Sequence, residues 1–170
     1  MDLIAAITWF ITICLGLFLL AIWLVEYDRD AHGDAASRLP LPVLSGHALL
    51  AVIGAPVWLV YILTGERRLA LLATLILAGV AVLGLTMMIR WLGVYRAYRG
   101  SAIPAAPVAA VAPVTTGTAF RRSSPAPALP PRTAIPPERN FPIAVVACHG
   151  LFAVVTVVLV LLSAFDVFGP

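Results

Sequence analysis

PLPVLSGHALLAV at residues 40–52 and PIAVVACHGLFAV at residues 142–154 place a histidine in the same apolar frame twice. Pro40 matches Pro142, Val43 matches Val145, His47 matches His149, and Leu49, Ala51 and Val52 match Leu151, Ala153 and Val154; in each copy the histidine follows the proline by seven residues. Leucine, alanine and valine coincide easily in a chain that is 62% hydrophobic, whereas proline and histidine are scarce inside apolar segments. The two segments read as copies that set two ionisable groups at one depth.

Outward from them, a shift of 68 positions brings Leu3 onto Leu71, Ala5 onto Ala73, Leu15-Gly16-Leu17 onto Leu83-Gly84-Leu85, Trp23-Leu24 onto Trp91-Leu92 and Tyr27 onto Tyr95. The paired WLxxY endings carry most of that match. The pattern predicts a tandem duplication of a two-helix hairpin, residues 1–64 and 69–166, with 34 extra residues in the second connector. Internal repeats of this kind are common in polytopic membrane folds.

With 62% hydrophobic and 11% charged residues, the chain carries more apolar surface than one small soluble core can bury. Residues 3–25, 41–63, 69–91 and 142–165 are each long enough to cross a hydrocarbon core about 30 Å thick. Helices satisfy their own backbone groups in lipid, so the expected fold class is an all-α membrane protein with four transmembrane helices arranged as two repeated hairpins. Residues 1–99 hold the first three helices, 100–141 form a connector, and 142–170 hold the fourth helix, completing the same bundle. The first span is a retained helix rather than a secretory signal: it has no basic leader, its apolar run is too long, and Glu26-Tyr27-Asp28 follows it.

All eleven basic residues are arginine. Arg29, Arg38, Arg90, Arg96, Arg99, Arg121, Arg122, Arg132 and Arg139 lie in or beside the two larger loops, against Arg67 and Arg68 in the short turn. That asymmetry predicts a multi-pass protein of the cytoplasmic (inner) membrane with both termini extracytoplasmic. The net charge of +3 is accounted for by these topology-setting arginines, and a nucleic-acid surface is not expected. The expected partners are the lipid bilayer and other membrane subunits.

The turn 64–68, with Gly65 suited to a helix end, makes the second and third helices antiparallel neighbours. The aromatic residues Trp9, Trp58 and Tyr61 at one interface, and Trp23, Tyr27, Trp91, Tyr95 and Tyr98 at the other, read as headgroup-level anchors. Nine prolines within residues 100–141, with Pro142 directly after them, forbid a continuous helix and predict a tether, extended or disordered, through the connector. Cys14 and Cys148 differ in depth and read as apolar filler rather than a disulfide.

His47 and His149 fall about 8–11 Å inside the boundary at the helical rise. The small and weakly polar positions on their stripes, Ala51, Gly54, Ala55 and Trp58 in one helix and Ala153, Thr156, Val160 and Ser163 in the other, point both stripes at protein rather than lipid. A twofold axis along the membrane normal would then set the imidazoles opposite one another, the arrangement that two axial nitrogen ligands of a haem require. Gly46 and Gly150 beside the histidines leave room for a macrocycle, and Arg38, Arg90 and Arg139 could meet its propionates. A zinc site lacks two ligands, hydrogen bonding to a quinone carbonyl is a third role for the pair, and neutral interhelical packing is the plainest one. His32, among Asp28, Asp30 and Asp34, reads as a surface residue.

In these features the chain loosely resembles small four-helix integral membrane proteins of high-GC bacteria, a resemblance that implies no activity. In layout it also resembles bis-histidine b-type membrane cytochromes, which implies haem b as cofactor and His47 and His149 as its ligands. Many such cytochromes hold two haems on four histidines, and here there is one intramembrane pair. No nucleophile with a base in register, phosphate loop or paired intramembrane carboxylate marks a catalytic centre. Two functions follow: a non-enzymatic accessory or assembly subunit of a larger membrane complex, and a haem-b redox or quinone-associated protein built on the histidine pair.

Overall fold

A proline starts each helix that carries a histidine. Pro40 and Pro142 occupy the N-cap positions of the second and fourth helices with extended backbone, φ −63° and −64°. The missing N–H is harmless there, because the first turn of a helix has no intrahelical use for it. The structure, a computed structural model, describes residues 1–27, 37–98 and 136–165. Within them, α1 spans Asp2–Glu26, α2 Leu41–Thr64, α3 Arg67–Tyr98 and α4 Ile143–Ala164, and a single 3-10 turn, Pro137–Asn140, precedes α4. The described residues are helical throughout their ordered elements, and all four long helices have the length and hydropathy to cross a membrane.

Between α2 and α3 the chain turns in two residues. Gly65 adopts φ 68°, and its N–H bonds to the Tyr61 carbonyl at 2.8 Å, closing the helix with the left-handed cap that glycine takes without a Cβ penalty. The α2/α3 pair is the expected antiparallel neighbour pair and packs closely; α1 and α4 form a second close pair, and lighter α1–α2 and α3–α4 contacts complete the ring. The bundle is therefore two tight pairs meeting along looser seams, each pair drawn from both of the hairpins suggested by the sequence. At 32 residues α3 continues well past residue 91, where the sequence reading ended the span, because only Gly93 interrupts its helix-compatible residues.

Leu3, Phe10, Leu49, Leu75, Leu151 and Val154 are exposed on the outside of the bundle, Leu75 to 72%, as a lipid-facing surface requires. Three of the four tryptophans expected as anchors are buried within the bundle. Trp9 and Trp58 belong to the core with Ala5, Ala73, Leu77 and Val160, and Trp23 belongs to a second cluster with Leu39 and Leu44. Each buried indole with a reachable acceptor uses it: Trp58 Nε1 donates to the Asp2 carbonyl at 3.2 Å, and Trp23 Nε1 to Ser37 Oγ at 3.0 Å. The bond from Trp58, with Tyr61 donating to Asp2 Oδ2 at 3.4 Å, sets the start of α1 beside the end of α2. That end of the bundle is called the turn end below, and the opposite one, where Pro40 and Pro142 lie, the connector end.

The tether expected through residue 141 stops sooner. Pro136, Pro137 and Glu138 are buried, so the last stretch before α4 belongs to the packed fold. Residues 99–135, along with His32 and the aspartates near it, lie outside the described residues.

Gly54 gives the packing a sharp test. A Cβ there would lie 2.8 Å from Trp9 Cζ2 and 3.0 Å from Ile76 Cγ2, whereas a Cβ at Gly150 meets nothing within 4 Å. Gly54→Ala is expected to lower bundle stability by about 1–3 kcal/mol through overpacking, and Gly150→Ala to leave it unchanged or slightly raised. Unfolding midpoints in detergent would check the contrast, and equal midpoints would contradict it.

Candidate functional site

Both histidines are the seventh residue of their helices, about 9 Å along the axis from the first helical residue. Their stripes face protein as expected: Gly54 and Trp58 in α2, and Thr156 and Val160 in α4, are buried, while Ala51, Ala55 and Ala153 are half-buried. The structure brings the two rings together, with centroids 6.2 Å apart and planes inclined by 63°. Each ring leans onto the partner within its own tight helix pair. His47 Nδ1 lies 2.9 Å from the Val80 carbonyl oxygen of α3, and His149 Nδ1 lies 3.0 Å from the Thr12 carbonyl oxygen of α1.

These carbonyls are reachable because of two glycines. A helical side chain lies back over the turn that precedes it, so the residue four positions on from a carbonyl shields that carbonyl. Four positions after Thr12 and Val80 stand Gly16 and Gly84. A Cβ at Gly16 would lie 3.0 Å from His149 Cε1, and one at Gly84 only 2.9 Å from His47 Cε1. The sequence already held the signal, since Gly16 and Gly84 align within the repeated Leu-Gly-Leu. Their chemistry was hidden because the imidazoles they receive are far away in the chain.

The bonds also settle which nitrogen carries the proton. A carbonyl oxygen only accepts, so each Nδ1 must donate, and in a neutral imidazole that leaves Nε2 as a bare lone pair. Among the described residues neither Nε2 has a hydrogen-bond partner. Two neutral rings in this tautomer cannot hydrogen-bond to one another, because both are acceptors at Nε2. For the same reason neither can donate to a quinone carbonyl.

Other expected participants are distributed less simply. Arg90 Nη1 donates to the Arg38 carbonyl at 3.4 Å, and the Arg38 backbone N–H donates to Glu138 Oε1, so these groups are engaged with the loop ends at the connector end. A Cβ at Gly46 would touch only Leu83 Cδ1, at 3.5 Å, and one at Gly150 meets nothing within 4 Å, so neither glycine borders the histidine ring of the other helix. Cys14 and Cys148 are free and exposed on the outside of the bundle. The two best-formed hollows, of about 280 and 310 Å³, are open grooves on the outer surface, the first bounded by Phe18 and Val25 and the second by Phe10 and Leu59; neither includes a histidine. No group of three or more histidine, cysteine or acidic side chains able to hold a metal ion occurs among the described residues.

No known protein family matches the chain, and neither do curated proteins or solved structures.

The glycine contacts predict a selective effect. Gly84→Ala should push His47 off the Val80 carbonyl, and Gly16→Ala should do the same to His149 on Thr12. The ¹⁵N resonance of the Nδ1 facing the new methyl should move, while that of the other histidine stays in place. Unchanged spectra in both variants would mean that the rings do not rest on these glycines.

Proposed function

We propose that the chain is a membrane protein that holds one haem b between His47 and His149, built by tandem duplication of a helix hairpin. The observation that carries this reading is the pair of imidazoles with centroids 6.2 Å apart, each held through Nδ1 and each left with an unprotonated Nε2. Two unpaired acceptors this close in an apolar bundle favour an electron-pair acceptor shared by both. Rings that share one metal through nitrogen bonds of about 2 Å, with about 1.1 Å from nitrogen to ring centre, stand about 6 Å apart between centroids. The separation of 6.2 Å agrees with that value.

The donor set argues for haem over a bare ion. Two imidazoles leave a zinc ion two ligands short, whereas a haem would need only two nitrogens from the protein, and His47 and His149 would supply them. When bound, haem supplies one-electron chemistry at its iron. The chain's part is to orient the two nitrogens, by holding each ring through its Nδ1 on a backbone carbonyl. With one redox group about 9 Å from one end and roughly 22–25 Å from the other at the helical rise, electrons would be exchanged at the connector end rather than carried across the bilayer.

The duplication is supported by contacts that keep the offsets of the sequence. Thr12 with Val80, and Gly16 with Gly84, are 68 positions apart and do the same work for His149 and His47, themselves 102 apart. Trp23 stacks on Tyr27 with centroids at 4.2 Å, and Trp91 on Tyr95 at 5.3 Å. On the arginine asymmetry, the connector end faces the cytoplasm and the turn end lies outside. The exposed apolar surface then seats the chain in lipid or against other membrane subunits, and a redox subunit of a larger membrane complex fits both.

Protein purified from cells supplied with haem precursor is expected to show a Soret band that disappears in both His47→Ala and His149→Ala. A colourless wild-type protein would remove the haem reading and leave an accessory or assembly subunit with an interhelical histidine pair. Topology is tested separately: a cysteine introduced at Ser123 should resist impermeant thiol reagents added to intact cells, and efficient labelling there would invert the orientation.

A further inference from the structure

Glu138 is wholly buried, at 0% exposure, and it is the only ionisable side chain so placed among the described residues. Both carboxylate oxygens are used. Oε1 accepts the Arg38 backbone N–H, and Oε2 accepts Ser37 Oγ–H at 3.1 Å. Ser37 Oγ in turn accepts the Trp23 indole N–H at 3.0 Å. One carboxylate thereby ties α1, the segment entering α2 and the turn entering α4 into a single knot.

The position of the knot gives it meaning. The 3-10 turn touches both α1 and α3, which belong to different tight pairs. Phe141, next in the chain, packs in the cluster of Trp23, Leu39 and Leu44, to which α1 also contributes Leu20 and α3 contributes Met87. Leu20 stands one turn beyond Gly16, and Met87 one turn beyond Gly84, both toward the connector end. The cluster thus lies directly outside the two glycines on which the imidazoles rest. On the other side of the rings, the buried core around Trp9, Trp58 and Val160 already fills the bundle.

We propose that residues 136–141 are a plug that closes the connector end over the histidine pair, with Glu138 as its latch. The inference rests on the preceding reading only for what the plug guards. It is not a by-product of starting a helix with proline: at the offset that aligns the histidines, the position equivalent to Glu138 is Ala36, so the first hairpin copy has no such carboxylate. A buried carboxylate keeps its place only while its donors satisfy it. Removing either side of that exchange opens the cleft between α1 and α3 to water and polar reagents and exposes the site from one face alone.

Access to the rings can be measured with or without a bound cofactor. In purified full-length protein, carbethoxylation of His47 and His149 by diethyl pyrocarbonate, mapped by mass spectrometry, should be slow, and Glu138→Ala should speed it about tenfold. If the protein is coloured, the rate of haem reduction by dithionite should rise by a similar factor. A second variant covers misfolding: Ser37→Cys with Glu138→Cys, in a background carrying Cys14→Ala and Cys148→Ala, should be slow when oxidised and fast after reduction, reversibly. Equal rates for wild type and Glu138→Ala, together with no redox dependence in the double-cysteine protein, would overturn the plug. Absence of a Soret band would remove only the haem reading, since the carbethoxylation rates still decide the plug.

Discussion

The bonds from the histidine Nδ1 groups to the carbonyls of Thr12 and Val80 order most of what surrounds them. A polar ring in an apolar bundle must find a partner, and the helix backbone offers oxygen atoms only where side chains leave them uncovered. Gly16 and Gly84 leave them uncovered. The bond then does three things together: it draws α4 onto α1 and α2 onto α3, it holds each ring in one orientation, and it fixes the proton on Nδ1. None of these could be altered alone without disturbing the other two, because all depend on the same approach of about 3 Å.

This explains why the bundle divides as it does. The hairpins suggested by the sequence join α1 to α2 and α3 to α4, but the close pairs are α1 with α4 and α2 with α3. Within each close pair small residues let the backbones approach, as in transmembrane helices generally. Gly54 receives Trp9, a contact along the lighter α1–α2 seam, so one large ring fills there what side-chain interdigitation does within the pairs. The imidazoles meet where the two pairs face each other, which is also where a ligand between them would be shared.

The sequence made the spans legible because hydropathy and length leave few alternatives in a bilayer, and it placed the ends of the two histidine helices to within one residue, since Pro40 and Pro142 mark their starts. The inward direction of His47 and His149 followed from Gly54 and Thr156 on their stripes. Other features were beyond its reach for identifiable reasons. Glu138 looks like one more charge in a proline-rich connector, and only the fold brings Ser37 and Arg38, about 100 residues earlier, to its oxygens. The tryptophans looked like interface anchors because their positions suit that role; burial came from local acceptors, Asp2 O for Trp58 and Ser37 Oγ for Trp23. The length of α3 was underestimated because hydropathy marks where lipid ends, not where a helix does.

Like geometry does not make the two halves alike. On the α1/α4 side, Thr12 beside His149 and Thr156 two turns farther along α4 carry hydroxyls that bond back to the Thr8 and Phe152 carbonyls one turn away. At the matching positions of the α2/α3 side stand Val80 and Gly54, which have no hydroxyl. The Thr12 hydroxyl adds a dipole on the residue that accepts from His149, and Val80, which accepts from His47, has none. The two imidazoles are therefore held by the same kind of bond in unequal surroundings, one on a threonine and one on a valine. If the halves arose as copies, this difference is what divergence has added while the ring contacts were kept.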